Sequence, residues 1–91
     1  MASYELMPND SRKSFYGKAV VIQRDDLRIL LSYGTAVGYM DAAGNFHRTW
    51  GGWSATTSRH VKAFTLAFSP IKRGIGKADW DKMPVETVPA Y

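Results

Sequence analysis

Residues 50–70 constrain this chain more than any other stretch, because they fix where one helix starts and where it stops. Trp50-Gly51-Gly52-Trp53 lets the backbone turn sharply without side-chain clashes, and Ser54 follows as a favoured N-cap whose hydroxyl can accept a bond from a free first-turn amide. A helix is therefore expected from Ala55. Thr57, Val61, Phe64, Thr65 and Phe68 then recur at steps of three and four, placing them on one stripe, with Arg59, Lys62 and Leu66 towards the other side. Such a helix buries Val61, Phe64 and Phe68 and exposes Arg59 and Lys62. Pro70 removes an amide and restricts Ser69, so the helix closes near Phe68.

Upstream the periodicity changes from helical to alternating. Leu27, Ile29, Leu31 and Tyr33 alternate with Arg28, Leu30 and Ser32, which suits a strand holding one face against a core. Residues 36–40 form a second short run. Asp41-Ala42-Ala43-Gly44 has the acid-first, glycine-last composition of a turn, and residues 45–50 form a third run rich in aromatic and β-branched types. Phe46, Arg48 and Trp50 share one face of that run; His47 and Thr49 share the other. Before these, residues 15–24 contain the apolar run AVVI, with Asp25-Asp26 as a tight turn making a hairpin with the next strand.

This pattern predicts an α+β fold, a small antiparallel meander of about four strands packed against one main α-helix, with a short C-terminal helical turn around Trp80 and Met83. Residues 1–14 read as an N-terminal leader, able to drape over the domain through Tyr4, Leu6 and Met7. Residues 15–70 form the core. Residues 71–91 are a basic loop and a tail that packs back through Trp80. Ninety-one residues make one domain, and a chain of this size buries only roughly 60 to 65% of the surface its unfolded form exposes.

The absence of cysteine removes disulfides, thiolate catalysis and sulfur-based zinc sites. No apolar run is long enough to span a bilayer, and residues 1–10 are acidic and polar where a secretory signal would be basic and then apolar. A cytoplasmic protein is the expectation, in the host cytoplasm if a phage encodes it. The formal net charge is +4, and residues 42–78 carry Arg48, Arg59, Lys62, Lys72, Arg73 and Lys77 with no Asp or Glu at all. A one-signed segment of this kind attracts nucleic acid or an acidic protein partner.

No residue cluster dictates a chemistry. His47 and His60 are the only histidines, and a metal site would need them to converge with Asp41 or another carboxylate, so no metal or cofactor is expected. Ser54 or Ser58 with His60 would be a minimal hydrolase pair, but Ser54 is better explained by capping and no glycine-flanked elbow surrounds either serine. No catalytic residue is assigned. Gly34, Gly38, Gly44, Gly51 and Gly52 fit no phosphate-loop pattern and serve turns and packing. The surface left for recognition combines Arg48, Trp50, Trp53, Arg59 and Lys62 around the helix start with the basic run Lys72, Arg73 and Lys77, because tryptophan and arginine are frequent interface anchors. A phosphate could also sit on the amides of the helix start. Nucleic-acid binding through a sheet would instead place Tyr39, Phe46 and Trp50 on an exposed face.

Ser32-Tyr33-Gly34-Thr35, Gly44, Arg48-Thr49-Trp50, Ser54-Ala55-Thr56-Thr57, Arg59-His60 and Phe64, with Lys77, Trp80 and Met83-Pro84-Val85 downstream, resemble the signature of a group of short phage and mobile-element proteins. Trp53 stands where a tyrosine is expected. The resemblance implies a setting in which small proteins bind and block host factors, anti-CRISPR proteins among them. Two expectations follow. The first is a non-enzymatic binding protein that occludes a host protein or nucleoprotein as an anti-defence inhibitor. The alternative is a basic DNA- or RNA-binding domain without sequence specificity.

Overall fold

The computed structural model describes residues 2–6, 18–70 and 74–89. Its elements are β1 (Ala2–Glu5), β2 (Ala19–Arg24), β3 (Leu27–Ser32), β4 (Thr35–Met40), β5 (Phe46–Arg48), α1 (Ala55–Phe68) and α2 (Lys77–Lys82). The strands form one five-stranded antiparallel sheet in chain order, so the α+β meander with one main helix is as the sequence predicts. The extra strand is β1. Ala2–Glu5 pairs with β2, from Ala2 opposite Gln23 to Glu5 opposite Val20, and Leu6 continues the edge by donating to the Ala19 carbonyl at 2.9 Å and burying its side chain. The leader expected over residues 1–14 is thus a strand in its first part, and residues 7–17 lie outside the described residues.

α1 has the predicted limits. The Thr57 amide donates to Ser54 Oγ at 3.1 Å, and the Ser69 amide closes the last turn on the Thr65 carbonyl at 2.9 Å before Pro70 stops propagation. The helix lies against β3. Val61 and Phe64 are buried, while Phe68 is only half-buried, with the Arg28 guanidinium 4.9 Å from its ring centroid and Tyr4 edge-on.

Both faces of the sheet carry an apolar cluster, which corrects the one-faced reading of β3. Leu30 and Ser32, not Ile29 and Leu31, point at α1 and join Ala19, Val21, Val37, Met40, Val61 and Phe64. Ile29 packs on the opposite face with Tyr39, Ile22 and Leu31, covered by Val88 from the C-terminal segment. The register shift between Leu30 and Leu31 inserts Val37 as an unpaired residue of β4, and Val37 turns into the helix-side core.

Gly38 shows how tightly that core closes. A Cβ built there would lie 2.2 Å from Phe46 Cζ and 2.9 Å from the His47 carbonyl oxygen, so the Phe46 ring lies across the glycine backbone. Phe46 in turn contacts Phe64 and Trp80, with ring centroids 6.0 and 6.2 Å away. Trp80, on the short α2, is fully buried and its indole N–H donates to the Gly52 carbonyl at 3.0 Å. The tail is therefore part of the core, because a sheet and a single helix this small leave a gap that only a large ring fills.

Candidate functional site

Arg48, expected on the recognition surface, faces inward. Arg48 pairs with Gly38 in β5, on the helix side of the sheet, and is 9% exposed. Its Nε donates to the Trp50 carbonyl at 2.9 Å, Nη1 to the Trp80 and Met83 carbonyls at 2.9 and 3.2 Å, and Nη2 to the Gly51 carbonyl at 2.9 Å. The guanidinium also stacks over the Trp80 ring, 4.9 Å from its centroid. A planar fork of fixed donors is the side chain able to tie two loops and a helix end together at once. Arg48 is a brace.

Trp50 and Trp53 follow it inward. Both are half-buried against the main core; the Trp50 ring lies on Gly52, and Trp53 sits 5.2 Å from the Trp80 ring. Of the remaining cations assigned from sequence, Lys62 is exposed on the outer face of α1 and Arg59 is half-buried beside it. Lys77 is exposed and bonded to Asp81 at 2.7 Å, an i,i+4 pair of the kind that contributes only about 0.3–0.5 kcal/mol. Lys72 and Arg73 lie outside the described residues. The sheet aromatics form no open platform: Phe46 and Trp50 pack on the core and Tyr39 is 6% exposed.

The histidines sit on opposite sides of the sheet and do not converge. His60, 1% exposed, has Nδ1 2.8 Å from Ser32 Oγ, which lies 3.1 Å from Thr57 Oγ1. That is the spacing of a nucleophile and its base, in Ser32 and not in Ser54 or Ser58. The pair is sealed, since Ser32 is 3% exposed. Burial, with the nearby Arg59 charge, pushes His60 down to about 4, leaving a neutral ring that is a weak base at neutral pH. Ser54 caps α1, and the Ser58 hydroxyl donates to the Ala55 carbonyl at 2.7 Å.

His47 has the opposite electrostatics. On the outer face of the sheet it stacks on Tyr39, with centroids 4.6 Å apart, and its Nε2 lies 2.8 Å from an Asp41 carboxylate oxygen and its Nδ1 3.0 Å from a Glu86 carboxylate oxygen. Glu86 is held in turn by its amide, which donates to the Arg48 carbonyl at 2.8 Å. Burial alone would lower the pKa of His47, but the two carboxylates more than offset it and hold the imidazole above its ordinary 6.5. The same hydrogen bond is the chief reason that Asp41 lies below its ordinary 3.8. The carboxylates occupy opposite edges of the ring, so their oxygens do not meet at one point. Among the described residues no group of three or more His, Cys, Asp or Glu is placed to hold a metal ion.

These two rings give a pH signature with a definite sign. The Asp41–His47 contribution to stability is complete between about pH 3.8 and 6.5, fading below as Asp41 protonates and above as His47 loses its proton. His60 acts in the reverse sense, costing stability as pH falls from 6.5 towards 4, because the unfolded ring takes up a proton that the buried ring refuses. An NMR titration of the folded protein is expected to show two imidazoles on either side of 6.5, His60 near 4 and His47 above 6.5. Two coincident midpoints near 6.5 would contradict both environments.

Two further features were not among the sequence-derived candidates. Tyr33 is 56% exposed at the tip of the β3–β4 hairpin, with φ of 51°. The signal was present, because a two-residue Tyr-Gly link between strands demands positive φ where Asn or Gly is usual. A cleft of about 400 Å³ also opens between the β4–β5 turn, the end of α1 and α2, with Asn45, Phe46, Thr65, Ser69, Asp79 and Lys82 along its walls. No helix among the described residues is long and apolar enough to cross a membrane.

A family model described as a family of unknown function, DUF8033, matches residues 4–82, and the chain belongs to that family. No curated protein and no solved structure matches the chain.

Proposed function

We propose that this member of DUF8033 is a small non-enzymatic binding protein of phage or mobile-element type, which occludes a host protein or nucleoprotein in the cytoplasm as an anti-CRISPR-like, anti-defence inhibitor. One observation carries the reading: Ser32, His60 and Arg48 are consumed as buried braces, while Lys62 stands exposed on the outer face of α1, beside the half-buried Arg59, on a helix without an acidic residue. The resemblance of the SATT-x-RH segment to phage and mobile-element proteins supports the setting. Turnover needs an accessible reacting pair, whereas occlusion needs only a rigid scaffold and an outward surface.

The acid-free segment from residue 42 to 78 favours a second reading, a basic nucleic-acid-binding domain without sequence specificity. Capture from a bacterial lysate with the tagged protein is expected to yield a near-stoichiometric partner, lost by more than tenfold with the Arg59→Ala/Lys62→Ala variant while its melting temperature is unchanged. Empty captures from several hosts would remove the first reading. Absence of binding to DNA and RNA at low ionic strength would remove the second.

A further inference from the structure

Residues 84–89 adopt neither helix nor strand, yet they lie on the outer face of the sheet. Val88, 7% exposed between the exposed Thr87 and Pro89, covers Ile29 and Tyr39, with Ile22 and Leu31 beside them. The Glu86 amide donates to the Arg48 carbonyl at 2.8 Å, and the Arg24 guanidinium donates to the Pro89 carbonyl at the exposed end. The Glu86 carboxylate lies 3.0 Å from His47 Nδ1, while His47 Nε2 lies 2.8 Å from the Asp41 carboxylate. A segment with so few buried anchors belongs to the part of a fold that opens first, and one imidazole ring ties its charged side chain to the sheet.

We infer that residues 84–89 are a strap, latched across the sheet by protonated His47 and released when His47 loses its proton. Only the cationic imidazole has an N–H on each nitrogen, so only that form bonds Asp41 and Glu86 together. The neutral ring gives one of them up. Asp41 is fixed, its other oxygen accepting the Ala43 and Asn45 amides at 3.0 and 2.9 Å, so the remaining N–H stays with it on Nε2. Nδ1 then turns a lone pair on the Glu86 carboxylate, and the contact that held the strap repels it. Among the described residues the titratable groups facing His47 are Asp41 from the β4–β5 turn, Glu86 from the strap and Tyr39 from β4. Tyr39 stays neutral throughout, because burial and the same two carboxylates raise its hydroxyl above the ordinary 10.0. The latch is closed just below pH 6.5 and opens as pH rises through the folded His47 value, which lies above 6.5. Opening uncovers the apolar cluster around Ile29 and Tyr39, on the sheet face opposite α1, so the device is separate from the surface assigned above to partner binding.

NMR of the full chain tests it, with the Val88 methyls and the His47 ring followed together from about pH 6 to about pH 9. The NOEs joining Val88 to Ile29 and Tyr39 are expected to lose about half their intensity or more at the midpoint of the His47 ring, as the open population rises by about tenfold. Those within the cluster of Leu30, Val61 and Phe64 are expected to hold. Glu86→Gln is the discriminating variant. Its carboxamide accepts from the cationic ring through oxygen and donates to the neutral Nδ1 through nitrogen, so the strap is expected to stay down across the range and the His47 midpoint to fall. Val88 contacts that persist while wild-type His47 titrates, or a Glu86→Gln strap that still opens at the His47 midpoint, would overturn the proposal. So would simultaneous loss of the Val88 and Leu30–Phe64 contacts, which would make His47 a support of the whole fold and not a latch.

Discussion

Arg48→Ala is expected to cost about 3 kcal/mol of folding stability and to lower the melting temperature by roughly 15 °C. The truncation removes five N–H donors at once and takes a donor from the carbonyls of Trp50, Gly51, Trp80 and Met83, the Trp80 carbonyl keeping the Met83 amide at 3.1 Å. The Trp80 carbonyl bond is buried, so water replaces it poorly. The stack of the guanidinium on Trp80 goes with it. Small domains have only about 5–15 kcal/mol in total, which makes this a large fraction. Arg48→Lys is expected to recover only part, because a point ammonium cannot span acceptors arranged around a planar fork. Chemical denaturation checks it; a loss below about 1 kcal/mol would mean that Arg48 is not a brace.

Gly38→Ala is expected to cost about 3 kcal/mol, although alanine normally gains roughly 0.5–1 kcal/mol over glycine within a strand. The added methyl meets Phe46 Cζ at 2.2 Å and Cε1 at 2.7 Å. Phe46 cannot swing aside cheaply, since Phe64 and Trp80 lie against it, and the His47 carbonyl at 2.9 Å is backbone. Removing the obstacle provides the control. In Gly38→Ala/Phe46→Ala the combined loss should fall short of the two single losses by 1 kcal/mol or more, the coupling expected of residues in direct contact. Additive losses would show that the ring does not lie where the structure puts it.

The local parts of this fold were legible because their signals are local. Ser54 and Pro70 bracket α1 within a few residues of sequence, and Asp41 to Gly44 carries its own turn: the Asp41 carboxylate accepts from the Ala43 and Asn45 amides at 3.0 and 2.9 Å. What the sequence hides is pairing at a distance. β1 has the polar composition of a strap, and only its register against β2 makes it a strand. Trp80 fills the core from more than thirty residues beyond β5, and Glu86 reaches back to His47.

Arg48 is the instructive error. Alternation already put it on one face with Phe46 and Trp50, and two aromatics on a face of a small sheet mark that face as the inner one. Its charge nevertheless argued for solvent, because a buried arginine is rare without partners. Those partners are carbonyls at the ends of loops, which no composition or periodicity reveals. His47 was missed for a similar reason, its two carboxylates lying 6 and 39 residues away.

The protons of the Arg48 side chain test most directly whether this chain spends its interface-like residues on holding itself together. With Nε donating to the Trp50 carbonyl at 2.9 Å and the side chain buried, the Nε–H resonance of Arg48 in the folded protein should be resolved and should exchange with water far more slowly than those of exposed arginines. Exchange as fast as in an unfolded chain would place the guanidinium in solvent and return Arg48 to the surface.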